Sequence, residues 1–348
     1  MAKTKQKAPT AAQRRERERQ QRPAGSQNSQ SQARNRGPMQ RKSSQRQWLF
    51  IGGVLLLVAI IIGAFVVISR AQSGTQGGPT QASSEVFNDV TRVDPNVLAV
   101  VGSGNVQNPL RAVKGSPPIV TGPTGKPEFL YIGAEYCPFC AGQRWPIVVA
   151  LSRFGTFSKL YQTTSSSTDA YPNTPTFTFS HAVYGGSFYT SSYIDFVSVE
   201  LQGNQQDATG NYPTLETPTA DQQHLLNTYD APPYTNQAGS IPFIDIGNRY
   251  IAVGLAQGYS PQDLAGLQWK DIASDLVDSN TAVSKGILGT ANYLTAGICM
   301  ITQQQPGSVC NTAIIQTLEQ SLGKSTMTSS GTQIAVAGNL EAVVRRKD

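Results

Sequence analysis

Phe129-Leu-Tyr-Ile-Gly-Ala-Glu-Tyr-Cys137-Pro-Phe-Cys140 runs an apolar, β-prone segment straight into a turn that carries two thiols. Beyond it, Ile147, Val148, Leu151 and Phe154 recur at helical spacing. Pro138 falls at the first helical position, where its missing N–H costs nothing, and Gly155 stands where a left-handed cap would close the helix. The pattern predicts a strand over 128–133, a turn, and a helix that starts at Cys137. Unpaired backbone N–H groups and the helix dipole favour a thiolate at such a position, so Cys137 is expected to be the reactive cysteine.

Two plainer readings of Cys-Pro-Phe-Cys are half of a zinc site and a pair of inert thiols. A structural zinc needs four ligands. The remaining Cys and His are Cys299, Cys310, His181 and His224, and none of them forms a second pair across a two-residue gap. The helix-start position argues against inert thiols. Redox chemistry is therefore expected, with no metal and no cofactor.

Working outward, the N-terminal 47 residues hold thirteen Lys or Arg against Glu16 and Glu18, a charge of +11 in a chain whose formal net charge is +6. By subtraction the remainder is net −5, so the basic balance belongs to the tail alone. With almost nothing apolar to bury, residues 1–47 are expected to be a disordered basic tail. No aromatic interleaving or nucleic-acid-binding pattern accompanies the charge, so no nucleic acid partner is expected. The stretch from Trp48 to Ile68 contains no charged residue. At about 1.5 Å per helical residue it reaches about 31 Å, enough to cross a bilayer core. A long basic lead and a full-length span suit an uncleaved signal anchor, N-terminus cytoplasmic and the C-terminal portion extracytoplasmic, with membrane lipid as its partner. All four cysteines then lie on the side where disulfides persist.

Residues 69–84, mostly Gly, Ser, Thr and Gln, read as a flexible linker, and 85–280 as the main domain. Within the domain, 161–175 reads as a long Ser/Thr/Pro loop, 176–183 as a strand and 193–201 as a strand that could be central. A capped helix is expected after Thr219 and a hairpin across Gly247-Asn248. A second helix, begun by Ser260-Pro261, should present Leu264, Leu267, Ile272 and Leu276 on one face. Residues 281–322 read as a helical hairpin extension and 323–348 as a weakly ordered tail. Cys299 ends one helix of that hairpin and Cys310 opens the next, so a disulfide between them would contribute about 3 kcal/mol by closing the loop. The alternative for this pair is a second redox relay.

The strand, Cys-Pro-x-Cys, helix and the later Ile241-Pro242 ahead of a hairpin resemble the thioredoxin superfamily. The dipeptide between the cysteines is closer to glutaredoxins and DsbA-like oxidases than to thioredoxin itself. The resemblance implies an α/β fold, a thioredoxin-like mixed sheet flanked by helices with a C-terminal helical extension. It also implies that Cys137 is the nucleophile, that Cys140 resolves the mixed disulfide, and that Pro242 is a cis-proline packed beside them. Pro146 matches a helix kink common in that superfamily. Two positions depart from the pattern: Tyr131 stands where many members carry a buried carboxylate, and Glu135, just before the turn, is expected at the surface. With its basic tail, anchor, Tyr171-Pro-Asn-Thr-Pro-Thr loop and late cysteine pair, the chain is also similar to the prokaryotic family named domain of unknown function 929. The function expected is a membrane-tethered thiol-disulfide oxidoreductase acting on thiols and disulfides of exported proteins, recycled by a membrane or soluble redox partner. The alternative is a non-catalytic envelope module that binds partners through the same fold.

Overall fold

Alternation in the 128–133 segment sets the architecture. In the computed structural model, which describes residues 78–322 and the short strand Ala335–Val336, Phe129 and Tyr131 enter one buried apolar layer while Leu130 and Ile132 enter another. A strand buried on both faces needs cover on both, and the result is a mixed α/β structure with helices flanking a central sheet. The sheet strands are β1 (Arg111–Ala112), β2 (Glu128–Gly133), β3 (Asp195–Glu200), β4 (Phe243–Ile246) and β5 (Tyr250–Val253), in spatial order β1-β5-β4-β2-β3. β2 and β3 are parallel; the other pairings are antiparallel. β3, expected as a possible central strand, lies at the end of this order.

Four longer helices among the described residues are α1 (Pro138–Ser152), α2 (Ala220–Tyr229), α3 (Ala282–Ile301) and α4 (Ala313–Leu322). α1 packs with α3 in the layer that receives Phe129 and Tyr131, and Leu225, Leu226 and Tyr229 of α2 cover the face of Leu130, Ile132 and Ile251. The 281–322 segment is thus no appendage: Ile287, Leu288, Ala291, Leu294 and Ile298 of α3 are fully buried core. α2 starts on the expected reciprocal cap, Thr219 with Gln222. The β4–β5 hairpin turns at Gly247 and Asn248, both left-handed with φ of 60° and 58°, and the Arg249 N–H donates to the Ile246 carbonyl across them.

Several local expectations are revised. Gly155 is not a left-handed cap; it begins the strand Gly155–Phe157, where an added Cβ would lie 2.2 Å from the Thr190 carbonyl oxygen. The expected loop over 161–175 contains the strand Tyr161–Thr164, paired with Pro175–Thr178, and the expected 176–183 strand gives way to a helical turn at His181–Tyr184. The helix expected from Ser260 divides into a 3₁₀ turn at Pro261–Leu264 and a helix at Trp269–Asp275, separated by Gly266 at φ 77°. Part of the expected linker is structured: Thr80 and Gln81 pair with Gln162 and Tyr161, and Ser83 caps a helix at Ser84–Thr91. The expected basic tail, the Trp48–Ile68 span and the remainder of the linker up to Gly77 lie outside the described residues, as does most of 323–348. Among the described residues no helix is long and apolar enough to cross a membrane.

Candidate functional site

Pro138 cannot donate a hydrogen bond, so the α1 start is organised by the residue before it. Cys137 is the N-cap, with extended backbone, and its Sγ accepts the Cys140 N–H at 3.2 Å. The two thiols are not bonded to each other. Ile241 and Phe243 belong to the same buried cluster as Cys137 and Cys140. The Ile241–Pro242 peptide bond is cis. Phe243 also pairs with Ile132 on the strand that leads into the Cys137 turn, so Ile241 and Phe243, about a hundred residues on, share one buried cluster with Cys137 and Cys140.

The expected thiolate at Cys137 is not what this arrangement favours. Both cysteines have 0% of their surface exposed. Burial pushes the Cys137 thiol well above its ordinary pKa, with the neighbouring Cys140 adding to the rise; the Cys140 backbone N–H and the Arg144 charge oppose it without prevailing. Desolvation here outweighs the helix-start effect, because a thiolate without water must be compensated by nearby positive charge. The turn is framed by aromatic contacts: Tyr136 stacks on Tyr212 with ring centroids 4.3 Å apart, and Phe139 meets Tyr171 edge-on. The Tyr212 hydroxyl donates to Ser166 Oγ, and the Ser166 N–H donates to the Tyr136 carbonyl, so two surface loops close on the same turn.

Beneath the thiols lies a charged network that sequence reasoning missed. Arg144, one helical turn after Cys140, is fully buried and forms a two-pronged ion pair with Glu200 of β3, at 2.8 and 2.6 Å. Its Nη2 also donates to the Ala134 carbonyl at 2.9 Å, the same oxygen that accepts the Cys137 N–H at 3.3 Å. Burial works against the Arg144 charge, but Glu200 holds the guanidinium protonated, its pKa well above the usual value. Burial raises the Glu200 carboxyl to about 7 against the pull of Arg144. The signal for this network was an Arg inside an otherwise apolar helix, a position that demands a partner.

Glu135 is not a surface residue. It is buried, accepts the Thr178 hydroxyl, and its pKa is raised by burial, with that hydrogen bond and Arg144 pulling the other way. Tyr131 points into the layer beside Arg144, whose Cζ sits 5.7 Å from the ring centre. Cys299 and Cys310 are joined in a disulfide, Cα atoms 5.5 Å apart, and both lie in the apolar layer opposite the Cys137 cluster. Neither is therefore free to ligate zinc. His181 is paired with Glu216 at the surface, and among the described residues no group of three His, Cys, Asp or Glu is placed to hold a metal.

A family model described as Domain of unknown function (DUF929) matches residues 117–300, more than half of the chain. The chain belongs to the DUF929 family. The matched DUF929 span contains Cys137, Cys140, Arg144, Glu200 and Pro242, and Cys299 on the opposite layer. No curated protein and no solved structure matches this DUF929 chain.

Proposed function

We propose that this DUF929 protein is a thiol-disulfide oxidoreductase with a thioredoxin-like fold, working through the Cys137/Cys140 couple. The observation that carries the reading is that Cys137 at a helix N-terminus, Cys140 one turn on, and Ile241 and Phe243 on either side of Pro242 share one buried cluster. The sheet supports it: β3 lies parallel to the cysteine-bearing β2, and the β4–β5 hairpin lies antiparallel on the other side of β2. In the reducing direction the Cys137 sulfur attacks a client disulfide, forming the Cys137–client bond and expelling one client thiolate. The Cys140 sulfur then attacks Cys137, forming Cys137–Cys140 and releasing the second client thiolate. The two protons leave the protein thiols and end on the client sulfurs; the oxidising direction is the reverse. Because both thiols are buried, exchange takes place with the Tyr136–Phe139 turn uncovered. The expected anchor over 48–68 would place the couple outside the cytoplasm, with exported proteins as clients and a membrane or soluble partner to recycle it.

Burial of both thiols, with the Cys137 pKa raised, favours a second reading: a binding module of the cell envelope whose cysteines are core residues. Cys140→Ser separates the two. An exchange enzyme lacking its resolving thiol accumulates mixed disulfides through Cys137, seen as reducible high-mass bands that vanish in Cys137→Ser/Cys140→Ser. Absence of such species, with the variant folded, refutes the oxidoreductase.

A further inference from the structure

Replacing a buried ion pair by apolar side chains of similar size is often neutral or stabilising, so a pair built in beneath a candidate site calls for a reason other than stability. Arg144 and Glu200 are such a pair, and neither side chain has any exposed surface. Glu200 ends β3 level with Gly133, the last residue of β2, and Arg144 lies one helical turn after Cys140 on α1. The Glu200 carboxylate accepts from both Nε and Nη2 of Arg144, which fixes the plane of the guanidinium. The same Nη2 donates to the Ala134 carbonyl at 2.9 Å, and that oxygen also accepts the Cys137 N–H at 3.3 Å, closing the turn from Ala134 to Cys137. One side chain therefore joins the strand end on which Cys137 turns to the helix that carries Cys140. Cys137 itself is tied on both sides, by its N–H to Ala134 and by its Sγ to the Cys140 N–H. The Glu135 N–H has its own tie to the Gln202 carbonyl, and the Tyr136 carbonyl to the Ser166 N–H, so without Arg144 the turn would loosen but not come free.

We infer that Arg144 is a positioning residue for disulfide exchange: held flat by Glu200, it pins the Ala134 carbonyl and so fixes Cys137 at the spacing from Cys140 at which the internal disulfide closes. The inference rests on the exchange reading above. The step it serves is resolution. The Cys140 sulfur attacks Cys137, the Cys137–Cys140 bond forms, the Cys137–client bond breaks, and the client sulfur leaves as a thiol with the proton that Cys140 gives up. How often the two sulfurs meet in line depends on how far the turn can drift from the helix, and an oriented pair reacts as though far more concentrated than two separate thiols. In this role Arg144 works through the Ala134 backbone and not by contact with a sulfur.

The test is the ring-closure constant, the equilibrium between the Cys137–glutathione mixed disulfide and the Cys137–Cys140 disulfide plus free glutathione. Full-length protein is equilibrated near neutral pH in buffers of reduced and oxidised glutathione and quenched with acid. Its reduced, mixed and closed forms are then counted by mass spectrometry. Arg144→Met/Glu200→Leu removes the tie to Ala134 without stranding a charge. If the ion pair serves the fold alone, this variant, once thermal unfolding shows it folded, keeps the parental constant. Our reading predicts a folded variant whose constant is about tenfold lower, the size that a lost hydrogen bond to a charged group gives, which raises the potential of the couple by about 30 mV. Arg144→Lys keeps the positive charge but cannot serve Glu200 and Ala134 from one flat fork, so its constant should fall as well. A parental constant in either folded variant overturns the inference, and Arg144→Lys alone decides it if the double variant does not fold. If the unaltered protein forms neither the mixed nor the closed disulfide, the oxidoreductase reading falls and this inference with it. Equal closure by the unaltered and variant proteins removes this inference alone.

Discussion

Replacing Cys299 and Cys310 together by Ala should cost stability without touching turnover. The bridge links residues eleven apart in sequence, at the end of α3 and just ahead of α4. In the chain-entropy model a loop of that length stabilises by about 3 kcal/mol. At about 2–4 °C per kcal/mol for a domain of this size, the melting temperature should fall by about 6–12 °C. Both sulfurs are fully buried, so lost packing adds to the effect. The assay is thermal unfolding by circular dichroism, run beside the rate of glutathione exchange at Cys137. The two cysteines belong to the apolar layer on the far side of the sheet from the Cys137 cluster, so the exchange rate should stay within about twofold. An exchange rate that falls tenfold in a protein still folded at the assay temperature would make the pair a relay. An unchanged melting temperature would refute the stabilising role.

Three further outcomes follow from buried groups. Asp245 of β4 is buried, its Oδ1 accepts the Asn248 N–H at 2.6 Å, its Oδ2 has no partner, and burial raises its pKa from 3.8 to about 7. The folded state then holds a proton that the unfolded chain releases above pH 4, so this group makes stability fall as pH rises from about 4 to 7; Asp245→Asn should flatten that part of the urea-denaturation profile. Glu200→Gln strands the buried Arg144 charge and should cost about 3–5 kcal/mol by the same method, while Arg144→Met/Glu200→Leu should recover most of the loss. Gly133→Ala would drive a Cβ to 2.1 Å from the Tyr131 hydroxyl and should cost about 1–3 kcal/mol. Tyr131→Phe in that background should restore only part of the loss, since the ring carbon Cζ would still lie 2.5 Å from the added methyl.

The spine of the fold was legible because its signals are local. A mostly apolar strand ahead of a proline-started helix, a Thr219 cap with Gln222, and Gly247-Asn248 between two apolar runs each specify backbone geometry within a few residues. Local signals failed where tertiary contact decides. Gly155 is a strand residue because Thr190 comes close to it, and Glu135 is buried because Thr178, more than forty residues on, meets its carboxylate. The helix-start argument for a reactive Cys137 located the thiol correctly but could not anticipate its burial, which depends on loops around Ser166 and Tyr212. Arg144 and Glu200 show the same limit: each reads as an isolated charge until the parallel β2–β3 pairing carries Glu200 over to α1.

The most direct test of the account is equilibration of the Cys137/Cys140 couple against glutathione buffers, with free thiols counted by mass after alkylation and Cys299–Cys310 as the internal reference. A working exchange couple shows one two-electron transition at Cys137 and Cys140, with a midpoint between about −120 and −270 mV, where proteins that exchange disulfides operate. Thiols that neither exchange nor alkylate in the native protein, or a midpoint below about −300 mV where structural disulfides lie, would contradict it.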